Sequence, residues 1–396
     1  MRIFELFSGI GANTKVLSNL NIPFKLVGFS EVDKYAIKAF CAIHNVSDNL
    51  NFGDISKIDV NNLPDFDLLT FGFPCQDISV AGKQRGMVEG SRSALYFEGL
   101  RILKAKLPKY SLIENVKNLV GKKFKDQFKS ILNDLESLGY MNYWTVLNAK
   151  DYGIPQNRER VFIVSILGEH KPFEWPKPFY NGVILDELLE DEVDEKYFIS
   201  REKTDRLLEQ MNDEQFEKME KQLTNEVAYA LDANYFKGPS FNSLTKSKRQ
   251  CVPVLTPDRV EKRQNGRRFK EDGDPMFTLT GQDRHGVLKQ VGAIDEYNSQ
   301  ACRVYASDGL AVTQCGLGGG LGGKTGLYLS ENRIRRLTPK ECFRLMGFTD
   351  NDFEKAKQAD ISDTQLYKMA GNSIVVNVLE EIYKKLFERG EIIEDS

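Results

Sequence analysis

Cys75 stands in a setting suited to nucleophilic chemistry. Phe71-Gly72-Phe73-Pro74-Cys75-Gln76 closes the apolar run Leu68 to Phe71, which puts Cys75 at the C-terminal edge of a strand, where open α/β sheets bind ligands. The polar stretch Val80-Ala81-Gly82-Lys83-Gln84-Arg85-Gly86 follows, and neighbouring cations favour a thiolate. Glu114-Asn115-Val116 ends the next apolar run, Ser111 to Ile113. That brings a carboxylate able to move a proton to the same edge. Arg158 and Arg160 precede a further strand, and two positions apart on an extended chain they point to one face. Each residue also has an ordinary reading. A lone cysteine is usually a small buried hydrophobe, Glu114 suits a helix N-terminus, and the arginines suit a surface ion-paired couple.

A second constellation points to a nucleoside. Phe7-Ser8-Gly9-Ile10-Gly11 lies where a first strand gives way to a helix, and its two glycines permit a tight turn with close backbone approach to a ligand. Glu31, at the end of the second predicted strand, is placed to accept hydrogen bonds from a ribose diol. Gly53-Asp54-Ile55 falls near a third strand end, although Asp54 by itself reads as a turn residue. Gly318 to Thr325 has the letters of a phosphate-binding P-loop. The strand-like Gly326-Leu327-Tyr328-Leu329 follows instead of a helix, so a Gly-rich loop is the better reading.

Six predicted strands must position these groups: Arg2 to Phe7, Lys25 to Ser30, Asp67 to Phe71, Ser111 to Glu114, Asn142 to Leu147 and Val161 to Ile166. Helical patterns alternate with them, the pattern of a parallel sheet covered by helices. Phe124, Phe128, Ile131, Leu132, Leu135 and Leu138 recur at helical spacing and stop at Gly139, a C′ residue. After Trp175-Pro176-Lys177-Pro178 the composition turns acidic and helical, then from about residue 230 to short strands broken by Gly, Pro and Asn. The helix at Val375 to Phe387 is expected to return to the first domain.

The 396 residues suffice for two or three domains. No apolar window approaches the roughly 18 residues of a membrane span, and the N-terminus has no signal-peptide pattern, so a cytoplasmic protein is expected. Six cysteines form no C-x-x-C pair and there are three histidines, which argues against a metal site or a disulfide framework. A net charge of −3 announces no nucleic-acid partner. Residues 241 to 290, however, hold eleven Lys and Arg against six acids, a local excess that suits a phosphate backbone or a solvated face.

Taken together and in order, these motifs resemble the DNA (cytosine-5)-methyltransferases of bacterial and phage restriction-modification systems. Phe-x-Gly-x-Gly, Glu31, Asp54, Pro-Cys-Gln, Glu-Asn-Val and Gln-x-Arg-x-Arg are joined by Arg335-Arg336-Leu337-Thr338-Pro339-Lys340-Glu341 and Gly371-Asn372-Ser373. The resemblance spans nearly the whole chain except about 180 to 330, the region that varies in this family. It implies a Rossmann-like S-adenosylmethionine-dependent α/β methyltransferase fold, with a second, smaller, strand-rich target-recognition domain. Residues 1–178 plus 365–396 would form the catalytic and cofactor-binding domain, and 179–364 the recognition domain with its hinge.

The same resemblance implies S-adenosylmethionine, without a metal, held by Phe7, Gly9, Ile10, Gly11, Glu31, Asp54, Ile55, Pro74, Leu95, Asn372 and Ser373. Cys75 would attack C6 of a flipped-out cytosine in double-stranded DNA, Glu114 would bind N3 and the exocyclic amine, and Arg158 and Arg160 would support that site. Gln76, Lys83, Arg85 and Arg92 would meet DNA from a lid at 76–93. Arg267 and Arg268 would contact phosphates, and Thr278, Leu279, Gln282 and Arg284 would lie at or near the base edges. Monomeric action is implied, with a separate restriction endonuclease as an optional companion. A transfer-RNA methyltransferase, a non-catalytic DNA-binding module and a P-loop nucleotidase are the competing readings.

Overall fold

Strands β1 (Arg2–Leu6), β2 (Lys25–Ser30), β3 (Leu68–Phe71) and β4 (Tyr110–Val116) pair in parallel. Every residue of β3 is buried, as expected for a strand covered on both faces. The computed structural model of the chain describes residues 1–73, 95–179, 181–198, 290–293, 303–306, 327–330 and 333–387. β5 (Tyr140–Asn148) and β6 (Glu159–Leu167) complete a six-stranded sheet of order β2-β1-β3-β4-β6-β5.

The sheet departs from the all-parallel expectation at one strand. β6 runs antiparallel to both β4 and β5. The reason is the link from β5 to β6, which carries a single 3-10 turn, Ala149–Asp151, whereas a parallel return needs a crossover of a dozen or more residues. Reversal brings the start of β6 beside the end of β4, with Val116 opposite Arg160. Arginines at a strand's beginning thereby meet a glutamate at a strand's end.

Helices α1 (Ala12–Asn19), α2 (Lys34–His44), α3 (Leu95–Lys106) and α4 (Lys125–Ser137) follow the strands. α4 buries Phe128, Ile131 and Leu135, and Gly139 just beyond it takes φ 90°, the left-handed stop its position predicts. Phe4, Leu6, Leu69, Phe71, Tyr96, Ile113, Ile131 and Val161 lie in one buried core cluster. α5 (Pro339–Arg344), α6 (Asp350–Gln358), α7 (Asp363–Asn372) and α8 (Val376–Phe387) complete the helices among the described residues. The expected return of the last helix is present: Tyr383 of α8 donates to Asn13 at 2.8 Å, and Lys15 of α1 pairs with Asp352 of α6 at 2.7 Å.

Compactness separates two units. The first comprises the described residues of Met1–Ile154, Arg158–Phe179 and Met346–Ser396, and the second those of Pro155–Asn157 and Tyr180–Leu345. The second contains β7 (Gln290–Ala293), β8 (Arg303–Ala306), β9 (Leu327–Ser330) and β10 (Arg333–Arg336), in the order β10-β9-β8-β7. There Glu341 closes a capping box with Thr338 and receives both terminal nitrogens of Arg335, at 2.7 and 2.8 Å. Among the described residues no helix is long and apolar enough to cross a membrane.

Candidate active site

The first unit gathers two groups of functional side chains at one sheet edge. On β4, Glu114 is 13% exposed and its Oε1 lies 3.0 Å from Nε of Arg160. Burial pushes the Glu114 carboxyl above the ordinary glutamate range, while Arg160 and then Arg158 pull it back. The register of β3 on β4 pairs Phe71 with Ile113, so Gly72 lies alongside Glu114. A Cβ at Gly72 would stand 3.0 Å from Glu114 Oε2. Asn115 is buried and donates from Nδ2 to the Phe73 carbonyl at 3.1 Å. It thus holds the chain where it leaves β3 for Pro74 and Cys75.

Arg158 and Arg160 divide the work. Arg160 faces the carboxylate, whereas Arg158 is buried and donates to the carbonyls of Gly371 and Ser373, at 3.1 and 2.8 Å. Arg158 thereby ties the end of α7 to the catalytic edge. Ser373 is buried and Asn372 exposed.

The second group surrounds the β1–α1 turn. Phe7, Gly9 and Gly11 all take positive φ, at 51°, 55° and 77°. Phe7 is the non-glycine among them, in a conformation that costs a side chain roughly 1 kcal/mol or more. Gly9 N donates to Glu31 Oε2 at 3.0 Å, and Glu31 Oε1 accepts from the amides of Val32 and Asp33, at 2.8 and 2.9 Å. Asn51 fastens the same acid by its backbone: Oδ1 accepts from Glu31 N and Gly53 N, both at 3.1 Å. Asp54 caps the short turn Ile55–Lys57, and Arg101 of α3 grips the Ile55 carbonyl at 3.0 Å. Leu95 packs against the core at the start of α3.

This second group is open at two backbone positions. Positions where Cβ atoms would stand at Gly9 and Gly53 meet nothing within 4 Å, and Val32, beside Glu31, is 70% exposed. An open backbone turn, an apolar face and a fixed carboxylate suit a ribose and its base. The two glycines differ, however: a Cβ at Gly11 would overlap the rings of His44 and Phe40. Gly9 is therefore open toward a ligand, whereas Gly11 makes space for α2.

The C-5 cytosine-specific DNA methylase family profile matches residues 1–388. The chain belongs to this family. It is 36% identical to the orphan methyltransferase M.SPRI of Bacillus phage SPR, over 98% of this chain and 97% of the phage protein. It is 30% identical to the type II methyltransferase M.HhaI of Haemophilus parahaemolyticus, over 96% of this chain and 93% of that one. Its fold is shared with the Dnmt2 methyltransferase of S. pombe, at a TM-score of 0.61 and 18% identity over 98% of both chains. The Entamoeba histolytica methyltransferase EhMeth gives a TM-score of 0.62 at 16% identity, over 98% of both chains. The resemblance read from the motifs therefore holds, as does the α/β methyltransferase fold. The chain is a DNA cytosine-5 methyltransferase, and membership implies S-adenosylmethionine as the methyl donor.

Several expected methylase residues fall outside the described residues: Pro74, Cys75, Gln76, Lys83, Arg85, Arg92, Arg267, Arg268, Thr278, Leu279, Gln282 and Arg284. The described calls, Phe7 to Gly11, Glu31, Asp54, Ile55, Leu95, Glu114, Arg158, Arg160, Asn372 and Ser373, all belong to the first unit. Sequence reasoning missed Asn51, Arg101 and the hold of Asn115 on Phe73. Asn115 sits inside a recognised motif, whereas Asn51 and Arg101 carry no local signal.

Proposed function

We propose that the chain methylates C5 of a flipped-out cytosine, within a short specific sequence of double-stranded DNA, through a covalent bond between Cys75 and C6. What carries the reading is Glu114, ion-paired to Arg160 and pressed against Gly72, on the strand beside the one that leads to Cys75. Cytosine C5 is a poor nucleophile. Attack of the Cys75 thiolate at C6 forms the S–C6 bond and drives the ring electrons toward N3, where Glu114 delivers a proton. Burial equips Glu114 for this by holding its proton to higher pH than an ordinary glutamate does. Arg160 keeps the carboxyl aimed, and Arg158 fixes the frame behind it.

The Phe7–Gly11 turn, Glu31, Asp54, Ile55, Pro74, Leu95, Asn372 and Ser373 would hold S-adenosylmethionine, which when bound would supply the electrophilic methyl group to C5. Loss of the C5 proton to water or another base then re-forms the C5–C6 double bond and expels the Cys75 thiolate, N3 returns its proton to Glu114, and 5-methylcytosine leaves together with S-adenosylhomocysteine. The target must leave the helix, since C6 is inaccessible within the stack. In this reading Gln76, Lys83, Arg85 and Arg92 meet DNA close to the flipped base. Arg267 and Arg268 contact phosphates, and Thr278, Leu279, Gln282 and Arg284 lie at the base edges. Residues 179–364 would read the site and residues 1–178 with 365–396 would perform the chemistry. The orphan designation of the SPR relative favours action without a companion endonuclease.

The test is incubation of the protein with S-adenosylmethionine and unmethylated genomic DNA, followed by base-resolution mapping of 5-methylcytosine. Methylation confined to one short motif is the expected result, abolished in Cys75→Ser with cofactor binding retained. Near-normal turnover by that variant would sink the covalent mechanism, and methylation of transfer RNA alone would reassign the substrate.

A further inference from the structure

The Ile10 carbonyl sits in an awkward place. Ile10 is 1% exposed, and α1 begins only at Ala12, with Gly11 O serving as its first backbone acceptor, for Lys15. The Ile10 oxygen therefore lies before the helical ladder and away from bulk water, where an acceptor needs a donor. His44, the last residue of α2, meets it with Nε2 at 2.9 Å. A carbonyl only accepts, so Nε2 must carry the hydrogen. Burial favours the neutral ring and pushes its pKa down to about 4, against the Ile10 bond and Asp352, which raise it, and with Lys15 and Lys355, which lower it. The ring also packs against Phe40, centroids 4.7 Å apart. Gly11 is the glycine that leaves room for this approach, since a Cβ there would overlap the imidazole.

We propose that His44 is a positioning residue for the cofactor turn: its Nε2–H holds the Ile10 carbonyl inward, so that Gly9 stays open toward S-adenosylmethionine. The proposal rests on the turn being the methyl donor's site. It reassigns Gly11 from ligand contact to contact with α2, and it gives a role to a histidine that the transfer chemistry does not use. Without the donor, the turn must rotate the Ile10 carbonyl toward another partner or toward water. Gly9 and its bond to Glu31 move with that rotation, because both lie on the same few strained residues.

The experiment is calorimetric titration of S-adenosylmethionine into the full chain, as wild type, His44→Phe and His44→Gln. Phenylalanine keeps the ring packing and lacks the donor, whereas glutamine places an amide N–H near the position of Nε2. The Phe variant is expected to bind about tenfold more weakly, the scale of one lost buried hydrogen bond. Its kcat at saturating S-adenosylmethionine should stay within about twofold of wild type, with duplex affinity unchanged, and His44→Gln should restore the binding. Unaltered affinity in His44→Phe, whatever its melting temperature, overturns the proposal, as does a glutamine variant no better than phenylalanine. A wild-type chain that binds no S-adenosylmethionine defeats the reading of the turn itself, a separate outcome. Should His44→Phe not fold, 15N spectroscopy of the wild type decides, since the chain has three histidines to resolve. A neutral ring protonated at Nε2 at pH 7 is expected, and the Nδ1–H tautomer or a cation there overturns the assignment.

Discussion

The two halves of the site are built from different materials. Around Gly9 the structure offers backbone: three residues at positive φ, an open turn, and a carboxylate whose visible bonds run to main-chain amides. Around Glu114 it offers charged side chains aimed at one another, Glu114 against Arg160, with Arg158 clasping the end of α7 behind them. The contrast follows from the tasks proposed for the two halves. A methyl donor must be cradled, and strained turns with exposed amides do that with little dependence on protonation. A reacting base must be given a proton at one atom, which calls for a carboxyl whose pKa is raised by burial and restrained by a guanidinium. Substitutions in the first half should accordingly act on cofactor affinity, and those in the second on turnover.

The largest separation is expected from Glu114→Gln. The amide keeps the shape and can still donate a hydrogen bond, but it cannot deliver a proton, so kcat should fall by about 10²–10⁴-fold. Cofactor affinity, measured by titration in the absence of DNA, should not change. A comparable loss of cofactor binding would erase the distinction between the halves.

A carboxyl is buried beneath the backbone half as well. Glu5 on β1 is 1% exposed and accepts from the Thr14 amide at 2.9 Å and from the Thr14 hydroxyl. It thereby caps α1 from below, where the N-cap Gly11 has no side chain to do so. Burial pushes its pKa from 4.5 up to about 7. A raised carboxyl pKa means that the folded chain binds the proton more tightly. The resulting stabilisation is full below about pH 4.5 and is lost as pH rises through about 7, amounting to about 3 kcal/mol. Urea midpoints compared across that window should show this component in wild type and lose it in Glu5→Gln. Identical pH slopes in the two proteins would mean that folding leaves the Glu5 pKa unshifted.

Gly72→Ala tests the catalytic half by shape alone. The new methyl would press on Glu114 Oε2 from 3.0 Å, and displacing that carboxyl from Arg160 should lower kcat about tenfold. Cofactor affinity is again the control, since the added Cβ meets Glu114 alone within 4 Å. A larger effect on binding than on kcat would show that the two halves share the β3 exit.

What could be read from the sequence follows the range of each interaction. Strands β1 to β6 announce themselves as apolar runs bounded by turn residues, and Gly139 announces the end of α4. The direction of β6 does not appear in its own residues, because alternation has no polarity. It is set by the connection from Asn148, too short for a crossover. The meeting of Glu114 with Arg160 was legible because Glu114 ends one predicted strand and Arg158 and Arg160 precede another. The separate duties of Gly9 and Gly11 were not, since the neighbour that distinguishes them, His44, lies 34 positions from Ile10. Asn51 reads as a loop former among Asp48, Asn49 and Gly53, and nothing local shows that it fastens Glu31.

The smallest effect, and the one that most sharpens the comparison, is expected from Glu31→Gln. Both oxygens of Glu31 are committed as acceptors, Oε2 to Gly9 and Oε1 to Val32 and Asp33. A glutamine has one oxygen, so its amide nitrogen must face an N–H somewhere. The less costly orientation keeps the two bonds to Val32 and Asp33 and gives up Gly9. The half-buried Gly9 amide can still find water, so the loss should be about 1 kcal/mol, or roughly fivefold in cofactor affinity. Turnover at saturating cofactor should be unchanged, the reverse of Glu114→Gln. Glu-to-Gln exchanges in the two halves thus make a matched pair with identical chemistry and opposite kinetic signatures. If both lowered kcat, the carboxylates would belong to one catalytic network and the division by material would be wrong.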